Sequence, residues 1–167
     1  MGIKSIDVYV TRGLFGFMFR SGVYTMRKDF IKMGFDTTFT NWHAPSRKKV
    51  MKRIIARKKP FALVGHSLGG NFVTHLGYDL KRFGVKVPYM AVFDAPMPYS
   101  IRPNVEIVDN FYQFNDYRDP ILKIEDESAT KATQYDQVGK YNHIYIAEVD
   151  VNRNRVYEQV KALAERS

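Results

Sequence analysis

The sequence predicts an α/β fold, a mostly parallel sheet with helices on both faces, on three observations. Short β-branched runs alternate with helical periodicities at least three times along the chain. Three of the helical stretches end at a glycine or proline, Gly34, Pro60 and Gly84. The 167 residues are 45% hydrophobic and 14% aromatic, enough for a buried sheet in one domain. Alternating strands and helices of this kind are joined by right-handed crossovers.

Taken in order, residues 6–10 (IDVYV) read as a strand and residues 11–16 (TRGLFG) as a glycine-rich turn. Val23, Met26, Phe30 and Met33 recur at helical spacing before Gly34, and residues 35–40 (FDTTFT) are again strand-like. Ser46 is placed to cap a basic helix that Pro60 ends. Residues 61–64 form a short buried strand, and Phe72, Val73, Leu76 and Leu80 stripe a helix that closes at Gly84. Residues 89–93 and 105–111 are two more strands, 123–142 read as polar and irregular, and 156–163 as an amphipathic helix. No linker or repeat interrupts the pattern, so residues 1–167 are expected to form one domain.

Charge and composition narrow the function classes. Without cysteine there is neither a disulfide framework nor a Cys nucleophile, which fits a reducing compartment. No stretch has the length and apolarity of a membrane span or a secretory leader, and the expectation is a soluble, cytoplasmic protein. Net charge is +9, and eight of the thirteen residues 47–59 (RKKVMKRIIARKK) are basic. Val50, Met51, Ile54 and Ile55 share one face of that helix, so the basic residues read as its solvated side. The competing reading is a surface for an anionic partner; nucleic acid is not expected.

The strongest motif is Gly65-His66-Ser67-Leu68-Gly69, between a predicted strand and a predicted helix. G-x-S-x-G in that context turns the chain sharply at the serine. The glycines two before and two after let strand and helix approach closely. The serine hydroxyl is then presented at the sheet edge, with the helix N-terminus beside it.

With GHSLGG, the RGLFG turn, the FRSGVYTMRKDFIKMGF helix and strand, and VFDAPMPYSIRPNVEIVDNFYQ, the chain resembles the α/β-hydrolase superfamily over residues 5–165. Its likeness there is to compact lipase-like and thioesterase-like serine hydrolases. The resemblance implies a nucleophile elbow and a catalytic triad in the order serine, acid, histidine. Ser67 is then the nucleophile, and His143 is the one histidine late enough to be the base. His66 lies inside the elbow with its ring expected to point away from the hydroxyl, and His75 is expected to pack on the following helix. Asp94 in AVFDAP is favoured as the acid, with Asp119 in FNDYRDPIL the alternative and Asp116 a lesser one.

The oxyanion hole is expected from the backbone N–H groups of Leu68 and Leu14, with Phe15 as alternative to the latter. Arg12, Phe15 and His43 are candidate substrate-binding residues. Arg12 would meet an anionic group, and the apolar Leu14, Phe15, Phe17, Met18 and Phe19 would wall an acyl group or simply be buried. The activity implied is that of a serine esterase of carboxylesterase, lipase or thioesterase type, acting on a small-molecule ester or thioester without metal or organic cofactor. Two alternatives stand beside it: a non-catalytic binding module docking an anionic partner through residues 47–59, and an acyltransferase using the same triad.

Overall fold

The computed structural model describes residues 6–14, 22–113 and 121–167. Six strands lie in one wholly parallel sheet: β1 (Asp7–Arg12), β2 (Asp36–Asn41), β3 (Phe61–His66), β4 (Tyr89–Phe93), β5 (Ile107–Tyr112) and β6 (Lys131–Asp136). Their order is β2-β1-β3-β4-β5-β6. The chain starts beside the centre, turns out to β2, returns to β3 and then winds the other way. All strand carboxyl ends therefore face the same edge. The reversal falls between β1 and β3, where ligands bind in open parallel sheets.

Helices cover both faces. α1 (Gly22–Lys32) and the C-terminal α4 (Asp150–Glu165) bury Val23, Met26, Phe30, Val156 and Val160 on one face, against Val8, Val10, Val64 and Phe93. α2 (Ala44–Arg57) and α3 (Leu68–Lys81) cover the other, placing Val50, Ile54, Phe72 and Leu76 on Tyr9, Leu63, Met90 and Val92. Strand side chains alternate between these two cores because successive residues point to opposite faces. Being buried on both faces, β3 and β4 read as nearly continuous apolar runs.

Three expectations are corrected. The stretch 123–142 is not wholly irregular, since Lys131–Asp136 is β6, paired in register from Ile107↔Lys131 to Tyr112↔Asp136. An edge strand needs only one neighbour, and KATQYD is mostly exposed or half-buried, so it shows no apolar alternation. Tyr135 anchors it in a stack with Phe111 and Phe93, at 4.6 Å between successive rings. Second, α2 starts before Ser46: His43 is its N-cap, Pro45 lies in its first turn, and Ser46 Oγ is 3.1 Å from His43 Nδ1. Third, the last helix begins at Asp150 and a short 3₁₀ turn, Tyr145–Ala147, precedes it.

The basic helix is partly spent inside the molecule. Arg47 pairs with Asp79 of α3 at 3.0 Å, and Arg57 pairs with Asp7 at 2.6 Å and Asp36 at 2.8 Å. Arg53 adds a contact to Asp36 at 3.3 Å, leaving Lys48, Lys49 and Lys52 on the exposed side. Among the described residues no helix is long and apolar enough to cross a membrane.

Candidate active site

The carboxyl ends of β3 and β4 lie side by side and are met by the segment that follows β6. β3 ends at His66, and the chain turns into α3 through Ser67, whose φ of 58° and ψ of −127° lie outside the regions open to most side chains. The ladder continues through the turn, for Ser67 N–H donates to Phe93 O at 2.8 Å. Helix α3 then holds the far side, with Gly70 N–H donating to Ser67 O at 2.8 Å.

Glycine is required on both flanks. A Cβ on Gly65 would come within 2.1 Å of Gly69 O, and one on Gly69 within 2.3 Å of Thr11 O. Neither backbone atom can move without separating α3 from the sheet. Gly13 follows the same logic, since a Cβ there would sit 3.2 Å from Ser67 Oγ. The turn after β1 therefore lies directly against the serine hydroxyl. Gly13 was not among the residues singled out from the sequence; its signal was the Arg-Gly pair opening a turn after a strand.

Ser67, His143 and Asp94 are brought together, though 76 residues separate the serine from the histidine and 49 the aspartate from the histidine. Ser67 Oγ is 2.9 Å from His143 Nε2, and His143 Nδ1 is 2.6 Å from Asp94 Oδ2. The carboxylate accepts from Nδ1–H, which leaves Nε2 as acceptor for the serine hydroxyl. Asp94 also has a positive φ, 44°, which Asp tolerates better than most residues. Its N–H donates to Phe111 O, and its carboxylate accepts from the Gln113 side chain at 2.9 Å. Burial works to raise the Asp94 pKa, but the hydrogen bonds from His143 and Gln113 outweigh it and hold the carboxyl below its ordinary value. Gln113, too, went unread in the sequence, where a glutamine after a strand carries no distinguishing mark.

The remaining candidates divide. Leu68 opens α3, where the first N–H groups of a helix have no partner within it, and Leu14 is exposed beside Gly13. Arg12 closes β1 with its Nε–H donating to Asn41 Oδ1 at 2.5 Å and its guanidinium 5.9 Å from the Phe39 ring. His43 is not drawn into the group around Ser67. It is exposed at the end of edge strand β2, with β1 standing between it and β3. His75, on α3, stacks on Tyr99 at 4.0 Å. Phe15, Phe17, Met18, Phe19, Asp116 and Asp119 lie outside the described residues. Among the described residues no His, Asp and Glu cluster has the makings of a metal site.

His66 is buried, and its Nε2–H donates to the backbone carbonyl of His143 at 2.6 Å. The two imidazoles lie 4.9 Å apart at 34°. Burial, then the proximity of His143, lowers the His66 pKa to about 4.

No family model matches the sequence, and no curated protein matches it. Among solved structures the chain is similar in fold to one described as the crystal structure of human thioesterase 2. The match covers 96% of each chain, with a TM-score of 0.51 and 12% identity. At that identity the likeness is one of fold, and it defines a thioesterase-like α/β architecture.

Proposed function

We propose that this protein is a serine hydrolase that cleaves a carboxylic ester or thioester through an acyl-enzyme on Ser67. The observation that carries the reading is the hydrogen-bonded chain Asp94–His143–Ser67 at a strand-to-helix turn flanked by obligatory glycines. His143 Nε2 takes the hydroxyl proton as Oγ attacks the substrate carbonyl. Asp94 holds the imidazole in the tautomer that can accept that proton and stabilises the imidazolium that forms. The Leu68 N–H and an N–H of the turn after β1 (Leu14, or Phe15) receive the developing oxyanion. His143 then protonates the leaving alcohol or thiol, and water repeats the sequence on the acyl group. Arg12, one residue before Gly13, offers a cation for an anionic substrate group. The name of the fold neighbour makes thioesters the first substrate class to try, with simple esters beside them.

Intact-mass labelling with a fluorophosphonate tests the reading. One adduct is expected on the wild-type protein, absent in Ser67→Ala and slowed in His143→Ala. A folded wild-type protein that takes no adduct overturns the proposal.

A further inference from the structure

Resting on the serine-hydrolase reading, we infer that His66 is a positioning residue that fixes the catalytic loop through the backbone of His143. Two contacts carry this, and they act on different parts of the same residue. The Nε2–H of His66 reaches the His143 carbonyl at 2.6 Å, tying down the main chain from which the base projects. The His66 ring lies 4.9 Å from the His143 ring, limiting rotation about the side-chain torsions.

The arrangement answers a mechanical problem. His143 follows β6 on an irregular connection, with its side chain 35% exposed, whereas Asp94 is 7% exposed and Ser67 is held by the sheet ladder. The base is thus the least anchored member of the group. His66 is the last residue of β3, adjacent to the nucleophile, so one strand end sets both the hydroxyl and the loop that must meet it. Local bonds support the loop from the other side, where Asn142 Oδ1 accepts from Ile144 N–H at 3.0 Å and Tyr145 N–H at 3.1 Å.

Chemistry favours an imidazole at position 66. A neutral ring whose Nε2–H is committed to a carbonyl adds no charge beside His143 when the base becomes cationic during turnover. With a pKa lowered to about 4 by burial, His66 stays neutral at physiological pH. A lysine or arginine donor would place a permanent cation there and oppose protonation of His143.

The test uses His66→Gln, His66→Asn and His66→Phe. Glutamine can put an amide N–H where Nε2 stands; asparagine ends short of the carbonyl; phenylalanine keeps the ring without the donor. His66→Phe and His66→Asn are expected to lose about 10- to 100-fold in kcat and in fluorophosphonate labelling rate, the scale set by a misplacement near 1 Å. KM should stay within twofold, and His66→Gln should recover most of the rate. Glutamine and asparagine are chemically alike, so a difference between them isolates reach from polarity and from general damage to the fold. A second readout needs no turnover: the downfield NMR resonance of the His143 Nδ1 proton should persist in His66→Gln and broaden in the other two. Equal rates and equal resonances across the three variants and wild type overturn the inference while leaving the hydrolase reading intact. A wild-type protein that shows the resonance but takes no probe overturns the hydrolase reading instead.

Discussion

Lys58 and Ser67 stand at the two ends of β3, and both hold φ angles that L side chains rarely adopt, 50° and 58°. At Lys58 the left-handed residue ends α2, its N–H donating to Ile54 O at 3.2 Å while the side chain is exposed. Glycine would serve that position at least as well. At Ser67 the backbone bonds are as well made, but the hydroxyl is the point of the turn and glycine would delete it. Strain is thus incidental at the amino end of the strand and tied to side-chain chemistry at the carboxyl end. Asp94, with φ of 44° at the end of neighbouring β4, belongs with Ser67. Two non-glycine residues in unfavourable backbone regions, joined through one histidine, mark a place where stability is given up for geometry.

Substitutions that separate strain from chemistry sharpen this contrast. The largest effect is expected for Ser67→Gly: hydrolysis should fall by more than about 10⁴-fold, while relief of backbone strain adds about 1 kcal/mol of stability in urea unfolding. Loss of stability in that variant would break the comparison. Asp94→Asn comes next, since Asn tolerates the same φ but cannot stabilise the His143 imidazolium. Its kcat should drop by roughly 10³-fold.

Acid sensitivity separates burial from strain. His66 has an ordinary pKa of 6.5 when unfolded and about 4 in the fold, so the unfolded chain binds the extra proton between those values. The stability it contributes is complete above about pH 6.5 and is lost as pH falls toward 4, by up to about 3 kcal/mol. His66→Gln should flatten the unfolding free energy across that window. Asp94, held below its ordinary value, adds a loss only at lower pH, as its folded carboxyl takes up a proton, and Asp94→Asn should remove that part. The smallest effect belongs to the other end of β3. Lys58→Gly should gain about 0.5–1 kcal/mol and leave the labelling rate unchanged.

What could be read from the sequence followed from how many constraints each element satisfies. β3, β4 and the elbow are buried on both faces and packed against glycines, so composition and spacing were forced together and legible. β6 is constrained by one neighbour and one aromatic stack, and KATQYD records almost nothing of it. The same holds within the site. The serine carries a motif because its turn admits few residues. His66 is part of that motif, yet its partner is a main-chain carbonyl 77 residues away, and no pattern of side chains encodes a bond to a carbonyl. Gln113 and Gly13 were missed for a related reason, each being ordinary in its local context and defined by what packs on it.

The parallel winding has a consequence for how the molecule assembles. Ser67, Asp94 and His143 arrive from separate crossovers, and the last pairing spans 76 residues. Contacts of such long sequence separation form slowly, so His143 is expected to dock after β4, β5 and β6 have been laid down. On the proposed function, labelling of Ser67 would then report completion of the sheet. During refolding, probe uptake should trail the recovery of secondary structure, and the lag would time the docking of one loop.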